Sequence, residues 1–302
     1  MVKLQGEYCP FCNGKKLVSF SAAAHDAPPK TVSIIECQTC QAGWQWPLKQ
    51  TETQSVIDFE NNYVQHSQGS YFDPVKRDSV ARFQCTFLEG MAQQPGRLLD
   101  VGCGDGNFCR ALAQRGWDVL GLDPALPAES TEVYASGQLR LTRSGLSDLA
   151  DSELFDIITL WDVVEHVELP QQLIALAASR LAPGGRLVVE TGNYQSAARV
   201  MNQHSWWNFQ IDHRWYLAPP QLSAMLSQAG LGRIELIDHV LRPWWKGKSD
   251  VSPQTLLTLA KTAIKKPWRM PESLRIHREL NARHAAWKDW GGLEIMTMVG
   301  RK

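Results

Sequence analysis

Arg97-Leu98-Leu99-Asp100-Val101-Gly102-Cys103-Gly104-Asp105-Gly106 is the stretch whose reading decides the fold. Its first five residues are a short, mostly apolar run stopped by glycine, the pattern of a buried strand. Gly102, Gly104 and Gly106 let the backbone turn tightly and approach a ligand with no side chains in the way. A helical pattern (NFCRALAQRG) starts near Asn107, which puts the glycine turn at a helix N-terminus, where unpaired amides gather. Such a turn cradles a nucleotide-like ligand. The third glycine follows the second by two residues rather than three, so the dinucleotide spacing is not met. Asp100, read as pointing from the strand end toward the loop, would repel a pyrophosphate and suits a cationic amino acid group.

Outward from this turn, Trp117 to Asp123 (WDVLGLD) reads as a second strand ending in a carboxylate able to bond both hydroxyls of a ribose. An acid at each of two adjacent strand ends suits a nucleoside that carries an amino acid and a sulfonium. Pro124 to Gly137 reads as a loop and short helix, and Leu139 to Thr142 as a third strand. Phe155 to Leu160 is an apolar, β-branched fourth strand. Gln171 to Leu181 is helical and stops before Pro183-Gly184-Gly185, and Arg186 to Thr191 is the fifth strand. Gln221 to Ala229 is a further helix, Arg233 to Leu241 the sixth strand, and Leu293 to Gly300 the last, expected antiparallel. Strands alternating with helices in this way predict an α/β fold with a doubly wound, seven-stranded Rossmann-like sheet. Ligands then bind beyond the carboxyl ends of the first and fourth strands.

These residues, with SELFDIITLWDVVEHV, LAPGGRLVVET and DHRWYLAPPQLSAMLSQAG, resemble the class I S-adenosylmethionine-dependent methyltransferases, in particular their ubiquinone O-methyltransferase-like branch. The resemblance covers roughly residues 71 to 240 and the last strand. It implies S-adenosylmethionine as methyl donor, held by Asp100, Gly102, Cys103, Gly104, Asp123, Pro124, Gly145, Leu146 and Trp161. In many relatives an acid in the loop after the third strand holds the adenine. Here that loop reads Arg143-Ser144-Gly145-Leu146-Ser147-Asp148-Leu149, with no acid directly after the glycine, so backbone atoms of Gly145 and Leu146 take that part. The resemblance also has Tyr71-Phe72 and the helix read over Val75 to Met91 closing over the donor; ordinary packing is the other reading.

Asp162-Val163-Val164-Glu165-His166 follows the fourth strand at the pocket mouth. A helical turn there would put Asp162, Glu165 and His166 on one face, and His213 could approach from Ile211-Asp212-His213-Arg214. Histidine titrates near working pH and suits a general base for a hydroxyl acceptor, so His213 or His166 is the expected base, with Glu165 beside it. The same set is an acceptable oxygen and nitrogen cage for Mg²⁺, Mn²⁺ or Zn²⁺. It resembles metal-assisted O-methyltransferases acting on quinone-ring hydroxyls or on the terminal ribose of small RNAs. The plainer alternative is that Glu165-His166 fixes a helix start. Trp206-Trp207-Asn208-Phe209 and Trp215-Tyr216 flank His213. Two adjacent tryptophans cannot both face inward on a regular strand, so one is expected to line the pocket or the surface.

Toward the N-terminus, Cys9-x-x-Cys12 and Cys37-x-x-Cys40 are two knuckles separated by 24 residues. Each converges two thiolates from a tight turn, and together they make a closed tetrahedral site for structural zinc. A redox pair needs only one knuckle; an iron–sulfur cluster is the remaining alternative. The expected division is a zinc ribbon over residues 1–50, a connector and N-terminal helix over 51–96, with a short helix near 56–63, and a methyltransferase domain over 97–302. A helical insertion at about 243–290 is basic: Arg242 to Lys288 holds eleven Lys/Arg against three Asp/Glu, with four tryptophans interleaved. It reads as a contact with an anionic membrane or substrate, or else as a solvated cap or dimer contact.

The formal net charge is +0, from 31 basic and 31 acidic residues, which argues against a general preference for nucleic acid. Seven cysteines, four of them in knuckles, point to a reducing compartment, so the cytoplasm is expected, with peripheral contact to the inner face of the membrane through the insertion. The favoured acceptor is a small molecule, a glycan or a lipid-linked intermediate. Three rivals stand: an RNA methyltransferase docking RNA with its ribbon, a cofactor-binding partner protein without catalysis, and a dehydrogenase.

Overall fold

The chain alternates short apolar strands with helices that each bury one stripe, and this sorts it into a sheet covered on both faces. The computed structural model describes residues 7–24, 30–47, 74–92, 94–126, 128–237 and 294–302. The helix expected near 56–63, Tyr71-Phe72 and the basic insertion at 243–290 lie outside the described residues. The strands are β1 (Leu17–Ala23), β2 (Thr31–Cys37), β3 (Gly43–Gln45), β4 (Arg97–Val101), β5 (Asp118–Leu122), β6 (Ser130–Val133), β7 (Gln138–Thr142), β8 (Phe155–Trp161), β9 (Leu181–Gly192), β10 (Trp215–Tyr216), β11 (Gly232–Leu236) and β12 (Ile295–Arg301). The helices are α1 (Pro74–Met91), α2 (Asn107–Ala113), α3 (Pro170–Ser179), α4 (Ala197–Asn202) and α5 (Pro219–Gln228).

The larger sheet runs β11-β12-β9-β8-β4-β5-β7-β6. β7, β5, β4, β8 and β9 are mutually parallel, and β12 is antiparallel to both neighbours. The seven expected strands are all present, although β9 begins at Leu181 and runs through Pro183-Gly184-Gly185, and the parts expected at 238–241 and at 293 lie outside the described residues. The eighth is β6, which pairs antiparallel with β7 in the span read as a loop and short helix. Its Ser-Thr-Glu-Val alternates half-buried and exposed residues, an edge strand with too little apolar content to announce itself. From β4 the chain winds outward through β5 and β7, then returns to β8 and β9 on the other side. The β4/β8 junction is therefore the switch point at which doubly wound sheets bind ligands.

One sheet face is covered by α1 and α2, where Ala81, Cys85 and Leu88 meet Phe108, Leu112 and the sheet residues Leu98, Val119 and Ile157. The other is covered by α3 and α5, through Ile174, Ala177, Leu222, Met225 and Leu226.

β1, β2 and β3 form an antiparallel ribbon, and its fourth strand is β10, from beyond residue 97. Trp215 lies opposite Trp44 and Tyr216 opposite Gly43. Cys9, Cys37 and Trp44 share one buried cluster with Trp215, Leu217 and Leu222, so the ribbon's core runs into that of the larger sheet and its helices. A second seam packs Ala22, Val32 and Ile34 against Tyr194, Trp206, Phe209 and Tyr216. Of the two adjacent tryptophans, Trp206 is fully buried there and Trp207 lies partly buried at its margin.

Candidate active site

At the end of β4 the chain enters three left-handed glycines, Gly102 (φ 77°), Gly104 (φ 57°) and Gly106 (φ 79°), a path that side chains oppose. The turn is tied to the next strand, because the amides of Gly102 and Cys103 both donate to the Leu122 carbonyl, at 2.7 and 3.1 Å. Space is closed as well: a Cβ on Gly106 would lie 2.5 Å from Leu141 Cδ1. Gly106 then caps α2. Asp105, between the glycines, takes an ion pair from Arg77 of α1, which anchors that helix to the turn.

Asp123 follows β5 and is nearly buried. Its Oδ2 accepts from the Gly104 amide and its Oδ1 from the Ala125 amide, each at 2.8 Å. Burial raises its pKa, against the two amides, which lower it. A carboxylate has about four acceptor positions, so two amides leave it able to take a ribose diol. Pro124 begins the turn that brings the Ala125 amide round.

Asp100 lies deeper than a residue facing the loop. Thr159 is its neighbour across the β4–β8 pairing, and Thr159 Oγ1 donates to Asp100 Oδ1 at 2.7 Å while Cys109 Sγ of α2 lies 3.4 Å from Oδ2. Burial pushes its pKa up to about 7, with Asp123 adding to the rise and the two hydrogen bonds opposing it. Cys103 is buried against Gly121. Trp161, closing β8, stands edge-on to Phe108 at 5.9 Å, and its buried Nε1 has no partner among the described residues. Leu146 is buried in a 3₁₀ turn, and the Gly145 amide is taken by Asp148 Oδ2 at 2.7 Å. The loop acid thus binds backward onto its own chain.

After β8 the backbone breaks at Asp162, a non-glycine residue at φ 54°, whose amide still donates to Glu190 on β9 at 3.0 Å. A single turn follows, closed by His166 N to Val163 O at 3.0 Å, rather than the helical turn expected. It nonetheless brings Glu165 and His166 to His213. One ligand atom from each lies within 4.8 Å of the others, and the imidazole rings meet edge to face at 4.6 Å. Asp162 stands outside this trio and acts on it through its charge.

The electrostatics of the trio are unbalanced. Burial, then Asp162, push Glu165 up to about 7. Burial, then His166, push His213 down to about 4. Burial pulls His166 down, but Asp212, whose carboxylate is 3.6 Å away, outweighs it together with Glu165 and Asp162, so its pKa is raised. Glu165 Oε2 and His213 Nδ1 are both buried with no hydrogen-bond partner among the described residues. An unpartnered buried polar atom on each of two side chains of one cluster fits a bound cation or an incoming proton donor. Asp212 belongs with the trio although no motif marks it; its only signal in the sequence is its place beside His213.

The four knuckle cysteines converge too. Cys9 and Cys40 sulfurs are 3.5 Å apart and those of Cys12 and Cys37 3.6 Å. That is far beyond a disulfide and close to the edge, about 3.8 Å, of a tetrahedron with metal–sulfur bonds of about 2.3 Å. The two knuckles are built alike. Phe11 and Thr39 amides donate to the first sulfur of each at 3.4 Å, and Asn13 and Gln41 close each turn in the left-handed region. The contact between Cys9 and Cys40 pushes one thiol up and the other down, so one of the pair gives up its proton more readily than a free thiol. The set fits Zn²⁺.

Comparison with known proteins finds a family and several relatives. The family model described as a methyltransferase domain matches residues 75–236. A ubiquinone biosynthesis O-methyltransferase from Azorhizobium caulinodans is 32% identical over 169 residues, 51% of this chain and 67% of the relative. One from Nitrobacter winogradskyi is 28% identical over 254 residues, 76% of this chain and 91% of the relative. A solved SAM-dependent methyltransferase from Archaeoglobus fulgidus aligns with a TM-score of 0.49 at 16% identity, over 80% of this chain and 99% of its own.

Proposed function

This chain belongs to the methyltransferase-domain family, as a class I S-adenosylmethionine-dependent enzyme, and from that premise we propose that it methylates a hydroxyl oxygen of a small, glycan or lipid-linked acceptor. The observation that carries the choice of oxygen is the pair of orphaned acceptors, Glu165 Oε2 and His213 Nδ1, beside His166. A hydroxyl is a poor nucleophile until its proton has somewhere to go, whereas an amine or ring carbon needs less help. The relatives, named for O-methylation in ubiquinone biosynthesis, support the same class of acceptor.

On the donor side, Gly102, Cys103 and Gly104 supply the turn against which the amino acid part lies, and Asp123 takes the ribose diol. Gly145 and Leu146 lie toward the adenine, and Trp161 with Pro124 borders the pocket. The bound donor supplies a sulfonium methyl that is already activated. The chain's task is alignment, for which on the order of 7–11 kcal/mol is available to a well-oriented pair. The acceptor oxygen attacks the methyl carbon in line and the carbon–sulfur bond breaks, releasing the thioether. As the oxygen–carbon bond forms, the hydroxyl proton becomes strongly acidic. His213, neutral above about pH 4, can then accept it at Nδ1 despite being a weak base at rest. Asp212 and Asp162 favour the resulting imidazolium.

As the alternative to a proton on His213, Glu165, His166 and His213 would hold a divalent cation, which when bound would lower the acceptor's pKa as a Lewis acid. Cys9, Cys12, Cys37 and Cys40 hold structural zinc in this reading, and metal analysis should find one equivalent per chain. The basic insertion favours an anionic or lipid-linked acceptor and peripheral membrane contact, which vesicle sedimentation at low and high salt tests. Among the described residues no helix is long and apolar enough to cross a membrane.

The deciding experiment incubates cell extract with methyl-labelled donor and takes the mass of the product. An O-methylated small molecule is expected, and His213→Ala should keep donor affinity while losing turnover. Label found in RNA, or a fully active His213→Ala variant, would displace this reading.

A further inference from the structure

His213 sits in a segment, residues 206–214, with no regular structure of its own until β10 begins at Trp215. What holds such a segment decides where the imidazole points. Within it the Phe209 amide donates to the Trp206 carbonyl at 3.1 Å and the His213 amide to the Gln210 carbonyl at 3.4 Å, while Trp206 and Phe209 anchor its start in a buried aromatic cluster. Around His213 itself further bonds come from Gln45, at the end of β3 in the ribbon. The Gln45 amide donates to the Arg214 carbonyl at 3.0 Å. Its side-chain Nε2 donates to the Gln210 carbonyl and lies 3.3 Å from the Tyr216 hydroxyl. One residue thus grips the chain on both flanks of His213, three positions before it and one and three after.

The opposite side of the same segment is bonded to the turn that carries the rest of the trio. The Arg214 and Trp215 amides donate to the Glu165 carbonyl at 2.7 and 3.2 Å, and Trp215 Nε1 donates to the Val167 carbonyl at 2.7 Å. The Arg214 peptide therefore bridges two elements, its N–H on Glu165 and its C=O on Gln45. The backbone that follows His213 is thus held by β3 through one group and by the Glu165–Val167 turn through another.

We propose that Gln45 of the ribbon is a positioning residue for His213, so that the ribbon completes the acceptor half of the active site by hydrogen bonds, whereas the donor half shares only buried apolar packing with it. This rests on the role given to His213 above. The donor residues named above lie between Asp100 and Trp161, and none of their described hydrogen bonds involves the ribbon. Gln45→Ala keeps the backbone donor and leaves the Gln210 carbonyl only the long bond from the His213 amide. Gln45→Met keeps length and packing and removes only the side-chain hydrogen bonds.

The test uses the full zinc-loaded chain. With extract as the source of acceptor, both variants should lower turnover at saturating extract by about ten- to a hundredfold, the loss expected when a reacting group shifts by about an ångström. Donor affinity by calorimetry and zinc content should stay within twofold of the parent. In a His213→Ala background, Gln45→Met should lower turnover no further, because the two act as one unit. Unchanged turnover in Gln45→Met, or a full additional loss in the His213→Ala background, overturns the proposal. If the parent chain gives no methylated product, the functional reading fails, and the proposal is then judged by the cross-relaxation between the His166 and His213 rings. Loss of that signal in Gln45→Met with donor binding intact supports it, and an unaltered signal refutes it.

Discussion

Asp123 and Asp100 are both buried carboxylates with different fates. Asp123 keeps two backbone amides as partners, so replacing it by Ala removes a charged acceptor from Gly104 and Ala125 as well as from a bound ribose. Charge-assisted hydrogen bonds of this kind are worth about 1.5–3 kcal/mol each. Asp123→Ala should therefore weaken donor binding by at least about tenfold in calorimetry, with the sheet intact by circular dichroism. Asp100 has a pKa of about 7, above its ordinary 3.8. A carboxyl shifted upward by folding contributes stability that is fully present below about pH 4 and lost as pH rises through about 7. A cationic donor prefers the ionised form, so its binding should tighten as pH rises toward 7, and Asp100→Asn should flatten both trends. Titrating the melting temperature with and without donor between pH 4 and 8 measures this. Asp123's place at a strand end was legible because strand and turn are local patterns. The burial of Asp100 was not. It depends on the register that sets Thr159 opposite, and parallel pairing across 59 positions leaves no mark in a local window.

The β4–turn–α2 unit is the element most completely written in the sequence, because each of its parts is a local demand. Apolar residues make the strand, glycines the left-handed turn, and Asn107 onward the helix. Gly106 combines φ 79° with a Cβ position 2.5 Å from Leu141 Cδ1. Gly106→Ala should therefore cost about 1–3 kcal/mol through backbone strain, with more from the clash. Shortening Leu141 to Val should return part of the clash but none of the strain. Denaturant midpoints of the single and double variants separate the two contributions, and a Gly106→Ala chain as stable as the parent would contradict the left-handed turn. β6 and β10 show the other limit. β10 is two residues long, and no periodicity can announce an element that exists only because Trp44 lies opposite Trp215. The knuckles were legible by spacing and the aromatic block around His213 by composition. That the first supports the second is a fact of packing, and the sequence holds its two halves some 170 residues apart.

At the scale of the whole molecule this packing divides the site by origin. The proposed donor half stands on β4, β5 and β8, which pack on α2 at one face and at the other share a buried cluster with Cys9, Ile35, Cys37 and Trp44 of the ribbon, without a hydrogen bond from the ribbon to the donor residues. The acceptor half leans on the ribbon through β3–β10, through the edge-on contact of Phe11 with Trp215 at 5.4 Å, and through Gln221 Nε2 to the Cys40 carbonyl at 2.6 Å. Phe11 and Cys40 belong to the knuckles themselves. A ribbon this small has little core of its own, and structural zinc in such units contributes directly to folding. Stripping the metal with a strong chelator should therefore speed hydrogen exchange in residues 9–46 and also in 206–217. Protection in β4, β5 and β8 should persist, and donor affinity should stay within about twofold while methyl transfer stops. The ordering matters more than any single loss. If donor binding disappeared in step with zinc, the two halves would be one cooperative unit. If residues 206–217 stayed protected without zinc, the acceptor wall would stand on the central sheet alone and the ribbon would be an appendage.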